Sequence, residues 1–114
     1  MAEQIPFPRP EPVPERVSFD RHELGQILSI YGRMVAAGEW RDYAINAMPE
    51  VGVFSIFRHA AETPLYRIEK RPRLRQKQGQ YAVIGPEGQV LRRGHELPMV
   101  LRVLEQKMLK LLKD

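Results

Sequence analysis

The residues best suited to binding chemistry are cations crowded into one short segment. Residues 67–77 contain six arginines and lysines against one glutamate, a local charge of +5. The whole chain of 114 residues has a net charge of +4, so all its other residues together carry −1. Guanidinium and ammonium groups bind phosphates through charge-assisted hydrogen bonds, and a focused positive field attracts polyanions. The segment therefore predicts a site for an anionic partner.

Cations spaced along an extended segment suit the phosphates of RNA or DNA, and such contacts carry no base readout. The segment itself has no aromatic side chain for stacking, and the flanking Tyr66 and Tyr81 alternate with apolar positions that indicate core. The alternative is a loop that only keeps an edge strand soluble, with part of its charge neutralised by Glu62, Glu69 or Glu87. The candidate phosphate-binding residues are Arg58, Arg67, Lys70, Arg71, Arg73, Arg75, Lys77, Arg92 and Arg93.

The sequence offers no catalytic constellation. It has no cysteine, which removes disulfides, thiolate metal sites and thiol catalysis. His22, His59 and His95 fall on three different predicted elements and lack the spacing of metal ligands. We therefore expect no catalytic residue, metal or cofactor, and a binding protein rather than an enzyme. Because no charged-then-apolar leader or bilayer-length apolar window occurs, we also expect a cytoplasmic protein without a membrane partner.

The elements that must position these cations are predicted from periodicity. Asp20 and Glu23 have capping-box spacing, and apolar residues then recur at helical spacing as far as Gly38. Five segments rich in β-branched and aromatic residues follow, separated by turn-forming residues. A second amphipathic helix closes the chain. The sequence predicts an α+β fold, in which an N-terminal and a C-terminal helix cover a five-stranded antiparallel meander: helix 21–37, strands 41–46, 51–58, 65–71, 80–84 and 89–93, and helix 96–112.

Two features suggest a different class of function. Gly25, Ser29, Gly32 and Ala36 form a stripe of small side chains along the first helix, where two glycines reduce helix stability without an obvious reason. The stripe indicates either tight packing within the chain or a self-association face of a homodimer. Proline alternates from residue 6 to residue 14, which excludes regular structure in a predicted tail of residues 1–17. That tail is either a spacer or the ligand of a partner groove, and 18–114 form one domain.

Four segments of the chain resemble a known family: FDRHEL at 19–24, IYGRMVAAGEWRDY at 30–43, LYRIEKR at 65–71 and RGHEL at 93–97. They are similar to a family of small alphaproteobacterial proteins catalogued only as a domain of unknown function. The resemblance covers residues 19–112, with 31–43 as its most specific part. It implies a bacterial cytoplasmic setting and transfers no functional residue.

Overall fold

The structure is a computed structural model, which describes residues 15–59 and 63–113. The predicted α+β fold is confirmed, and each boundary lies within one residue of its expected position. A 3₁₀ turn between the third and fourth strands, Pro72–Leu74, was not predicted. The elements are α1 (Arg21–Ala36), β1 (Asp42–Ala47), β2 (Gly52–Phe57), β3 (Tyr66–Lys70), β4 (Tyr81–Ile84), β5 (Val90–Gly94) and α2 (Leu97–Lys113).

The five strands form one antiparallel sheet in the order β1-β2-β3-β4-β5, so β1 and β5 are its edges. Side chains alternate between two faces of a strand, and the two helices lie on the face that carries Phe54, Ile56 and Ile68. We call this the covered face and the opposite one the open face. The core between helices and sheet contains eight side chains that are almost fully buried: Ile27, Ile30, Phe54, Ile56, Ile68, Val83, Val100 and Leu104.

The capping box predicted at the start of α1 is present. The Glu23 backbone N–H donates to Asp20 Oδ1 at 2.8 Å, and Glu23 Oε1 accepts from the Asp20 backbone N–H at 2.8 Å. At the other end, Gly38 has a φ of 80°, the left-handed conformation that ends a helix and favours glycine. These two signals fix where α1 begins and ends, and thereby which of its faces meets the sheet.

The second helix packs on α1, β4 and β5. Its buried face repeats at helical spacing and consists of Leu97, Val100, Leu101, Leu104 and Met108. Because this face covers the β5 side of the sheet, α2 also lies beside the end of the cationic segment. No helix in the described ranges combines the length and apolarity needed to cross a bilayer.

Residues 1–14 of the predicted proline-rich tail lie outside the described residues. Arg16 and Val17 contact the β1–β2 turn, although the sequence predicts that they belong to the tail. The Val17 N–H donates to the Met48 carbonyl at 2.8 Å, and Arg16 Nη1 donates to the Ala47 carbonyl at 3.0 Å. A Cβ at Gly52 would lie 2.9 Å from the Val17 carbonyl oxygen, so glycine allows this close approach of the two backbones.

Candidate nucleic-acid interface

The alternation of β3 divides the cationic segment between the two faces of the sheet. Ile68 and Lys70 lie on the covered face, whereas Arg67 and Glu69 lie on the open face. Lys70 Nζ donates to Glu23 Oε1 at 2.8 Å and to the Ser18 carbonyl at 3.1 Å. Both ionic partners are largely buried. Lys70 was predicted to bind phosphate, and the structure corrects this prediction because the ammonium is already held by an internal carboxylate.

Glu23 is the centre of a buried polar network that sequence reasoning missed. Its second carboxylate oxygen accepts a hydrogen bond from the Tyr81 hydroxyl on β4. Burial and this hydrogen bond raise the pKa of Tyr81, in that order of importance. The network joins α1 to β3 and β4 and satisfies the charge of Lys70. A signal was available, since alternation from Ile68 places Lys70 against the core, where a lysine requires an acidic partner.

On the open face, Arg67 and Arg71 lie on either side of Glu69 along the chain. Arg71 Nε donates to Glu69 Oε1 at 3.1 Å, so one of these cations is already neutralised. Arg67 lies across from Ser55 on β2 and Ile84 on β4, and no carboxylate of the described residues is within ion-pairing distance of it. The charge of Arg67 therefore remains available to an external partner.

The connection between β3 and β4 is folded by its own backbone hydrogen bonds. The Arg71 N–H donates to the Gln80 carbonyl at 2.6 Å, and the Gly79 N–H donates to the Leu74 carbonyl at 2.9 Å. Three cations project from it into solvent. The Arg73 side chain is 80% exposed and lies 3.8 Å from Glu50 Oε1, a contact that solvent weakens. Arg75 and Lys77 are exposed and have no ion pair with any described residue.

This connection is attached to the end of β5. Gly79 has a φ of 108°, and a Cβ there would overlap the Gly94 backbone. Arg93 Nη1 donates to the Gly79 carbonyl at 3.3 Å, and His95 Nδ1 lies 3.1 Å from the Arg75 carbonyl. The fold thus joins two separate parts of the sequence into one cationic surface. We call Arg73, Arg75, Lys77 and Arg93 the basic end.

The other two predicted residues lie elsewhere. Arg58 follows β2 at the opposite end of the sheet from the basic end, and it donates to Glu39 Oε1 at 3.1 Å. Arg58, which the sequence groups with the cationic segment as a phosphate-binding residue, therefore lies apart from that segment, because β2 carries it past the end of the strands paired with β3. Arg92 is exposed on β5, across from Val83.

Arg58 lines a separate groove of about 340 Å³ with Trp40, Tyr66, Lys107 and Lys110. This groove lies between the end of α1, the start of β3 and the last turns of α2. The positive charge of the described chain is thus distributed between two ends of the molecule, and only one of them contains the continuous cationic segment.

The small-residue stripe of α1 faces solvent. A Cβ at Gly25 or at Gly32 would meet nothing within 4 Å, and Ser29 and Ala36 are exposed. Gly25 and Ser29 border a groove of about 780 Å³ between α1 and α2. Tight packing within the chain, one of the two explanations of the stripe, is therefore contradicted for the described residues.

The three histidines have different surroundings. His22 lies 3.4 Å from the Gln26 side chain, His95 contacts the basic end, and His59 is exposed. Within residues 15–59 and 63–113, no group of three or more histidine, aspartate or glutamate side chains is placed to hold a metal ion.

Taken with the fold, these surfaces define a small α+β protein with cations at two ends of its described part, one of which carries the continuous cationic segment. Residues 17–101 match the family DUF2794, whose description is a protein of unknown function, and the chain belongs to this family. The match includes α1, the whole sheet and the first residues of α2. No curated protein and no solved structure matches the chain.

Proposed function

We propose that this chain is a non-enzymatic, cytoplasmic protein of alphaproteobacteria whose basic end binds the phosphate backbone of RNA or DNA. One observation carries the proposal: a connection held by its own backbone hydrogen bonds presents Arg75 and Lys77, which are exposed and form no ion pair with any described residue. Arg73 lies on the same connection, and Arg93 contacts it from β5.

The rigidity of this surface supports binding. Ordering of flexible side chains and loops opposes association, so a connection already held in place loses less entropy when a ligand binds. Arginine also presents a planar fork of donors, which suits the two oxygens of a phosphate. Arg67 extends the cationic surface onto the open face of the sheet. A backbone with regularly spaced phosphates can contact several of these cations at once.

The basic end favours affinity over sequence recognition. Tyr81 is buried against Glu23, and Tyr66 lies in the Arg58 groove at the opposite end of the sheet. No aromatic ring of the described residues is therefore placed beside the basic end to stack on a base. Binding through phosphates alone is sequence-tolerant and weakens steeply as salt rises.

The test compares two variants that lose the same charge. Arg73, Arg75 and Lys77 are replaced by glutamine in one, and Arg58, Lys107 and Lys110 in the other. Binding of mixed-sequence RNA and of duplex DNA is followed by fluorescence anisotropy over a salt series. Each lost phosphate contact lowers the slope of log K against log salt by about 0.7–0.9, so the first variant should lose about 2 from the slope. Equal losses in both variants would show only a nonspecific charge effect and overturn the proposal.

A second candidate is self-association through the α1 stripe, because Gly25 and Gly32 face open space although glycine is unfavourable in a helix. Close approach of a second helix would explain both residues. Gly32→Leu should then convert a dimer to a monomer in light scattering. A wild-type chain that is monomeric at high concentration eliminates this candidate. An adaptor role of the proline-rich segment concerns residues 1–14, outside the described ranges.

A further inference from the structure

The edge strand β1 has no lysine, proline or bulge along its length, although these features normally prevent edge-to-edge pairing. Within residues 15–59 and 63–113 it pairs on one side only, with β2. Of its six residues, Asp42–Ala47, the first is the only charged one. Its covered-face side chains include Tyr43 and Ile45, which are 42% and 44% exposed. Soluble proteins usually protect such an edge with lysine, proline or a bulge, so an uncharged and apolar edge needs a physical explanation.

The alternating hydrogen-bond pattern of the β1–β2 hairpin identifies which backbone groups of β1 point away from β2. The Met48 N–H donates to the Val51 carbonyl at 3.0 Å and closes the hairpin. In an antiparallel pair, every second residue bonds to the neighbouring strand, so Tyr43, Ile45 and Ala47 direct their N–H and C=O groups away from β2. Two of these groups already have partners, because the Ala47 carbonyl accepts from Arg16 Nη1 and the Tyr43 N–H donates to Asp42 Oδ1. Among the described residues, both groups of Ile45, the Tyr43 carbonyl and the Ala47 N–H remain without a partner.

Apolar side chains of α1 lie beside this edge. The rings of Tyr31 and Tyr43 are 5.0 Å apart, which places the Tyr31 row of α1 over β1. Leu28 and Val35 are three residues before and four residues after Tyr31, on the same side of the helix, and both are partly exposed. An apolar strip therefore runs from α1 to Ile45. A strip that accompanies unpaired backbone groups is suited to another strand with an apolar flank.

We propose that a second copy of this chain pairs with β1 in antiparallel orientation, about a two-fold axis at Ile45. This register places Ile45 opposite its own copy and Tyr43 opposite Ala47, so both groups of Ile45, the Tyr43 carbonyl and the Ala47 N–H find partners. An axis perpendicular to the sheet keeps both helix layers on one side, with the exposed Leu28 and Val35 on the flank of α1 that lies over β1. The interface is isologous, as in most dimers.

Charge complementarity favours a second copy over an unrelated strand. Antiparallel pairing brings the start of each β1 beside the turn that ends the other. Arg41 then lies near Glu50 of the second copy. Asp42 lies near Ala47 of the second copy, and the Arg16 guanidinium of that copy donates to the same Ala47 carbonyl. Opposite charges meet at both ends of the paired strands, and the centre from Tyr43 to Ala47 carries none.

Single-cysteine variants test this register, because the chain contains no cysteine. In a hydrogen-bonded antiparallel pair the Cα atoms are about 5.5 Å apart, within the range that a disulfide spans. Ile45→Cys should form a disulfide-linked dimer under mild oxidation. The control is Val90→Cys, an exposed residue of β5, which should remain uncrosslinked. Equal cross-linking of the two variants would overturn the proposal.

Sedimentation supplies the second readout. The wild-type chain should be a dimer, and Ile45→Lys should raise its dissociation constant by more than about tenfold, because like charges then face each other at the axis. Circular dichroism checks that this variant is folded. A wild-type chain that stays monomeric at high concentration contradicts the proposal, whether the edge is empty or occupied by another segment. Neither readout involves nucleic acid, so this test is independent of the one for the basic end.

Discussion

The two edge strands of the sheet, β1 and β5, have opposite surface chemistry. Between Tyr43 and Ala47, β1 is uncharged and regular, with exposed apolar side chains. In contrast, β5 carries Arg92 and Arg93, has an irregular register near Val83, and is followed directly by α2, which packs on it. Charge and bulges protect an edge against pairing, so the β5 edge resists another strand whereas the β1 edge accepts one.

This difference implies two kinds of binding that respond differently to conditions. Association through apolar surface and backbone hydrogen bonds depends weakly on salt and is strengthened by some salts. Contact with phosphates releases counterions and is therefore lost as salt rises. One small sheet can thus support a dimer at the β1 edge and a polyanion at the basic end, and the variants below help to separate the two.

The largest expected effect comes from a change where the β3–β4 connection meets β5. Gly79→Ala adds a Cβ that overlaps the Gly94 backbone and forces alanine to a positive φ, so it should lower the free energy of unfolding by about 3 kcal/mol. Gly88, on the β4–β5 turn, also has a positive φ but open space around it, and Gly88→Ala should cost about 1 kcal/mol. Urea denaturation measures both. Similar losses would contradict a tight junction between the connection and β5.

A smaller effect is expected in the Glu23 network, which joins α1 to β3 and β4. Tyr81→Phe removes a donor from buried Glu23 and should cost about 1–2 kcal/mol at neutral pH, because Lys70 remains as a partner. It should leave the dimer and RNA binding unchanged. Thermal unfolding, sedimentation and anisotropy measure these three properties. A loss of RNA binding without unfolding would place the Glu23 network in the binding surface.

The same variant has a pH signature. Because the folded protein raises the pKa of Tyr81 above its unfolded value of 10.0, the neutral ring contributes stability that is complete below pH 10.0 and is lost as pH rises above it. Burial also raises the pKa of Tyr31 and Tyr66, so some alkaline loss remains in Tyr81→Phe. Stability measured across the alkaline range should therefore fall less steeply in the variant than in the wild type.

The smallest expected effect distinguishes the α1 stripe from the β1 edge as the self-association surface. Gly32→Ala adds a methyl group to open space and improves helix propensity, so it should stabilise the chain by about 0.5–1 kcal/mol. If β1 forms the dimer, the dissociation constant should not change. Sedimentation of Gly32→Ala beside Ile45→Lys compares the two surfaces, and a weaker dimer in the glycine variant would favour the stripe.

The sequence predicts the fold well because local patterns determine each element. Asp20 and Glu23 form the expected cap, Gly38 ends α1 in the expected conformation, and short turns leave an antiparallel meander as the simplest topology. Alternation along β3 also places Arg67 and Arg71 on one face with Glu69 between them.

The candidate site was predicted less completely because its members come together through tertiary structure. Charge counting treats Lys70 as equivalent to Arg73, although one is held by buried Glu23 and the other projects into solvent. Similarly, Arg93 reaches the basic end only because Gly79 and Gly94 approach closely. The opposed chemistry of the two edges also depends on strand order, which assigns β1 and β5 to the borders of the sheet.

The most direct test of the whole account is sedimentation velocity of the wild-type chain with fluorescently labelled RNA across a salt series. At low salt, we expect the RNA to move with a protein dimer. At high salt, the RNA should be free while the protein remains a dimer, because only the basic end depends on counterion release. If the dimer and the RNA complex dissociate together, or if the RNA stays bound at high salt, the two edges do not differ in the way proposed.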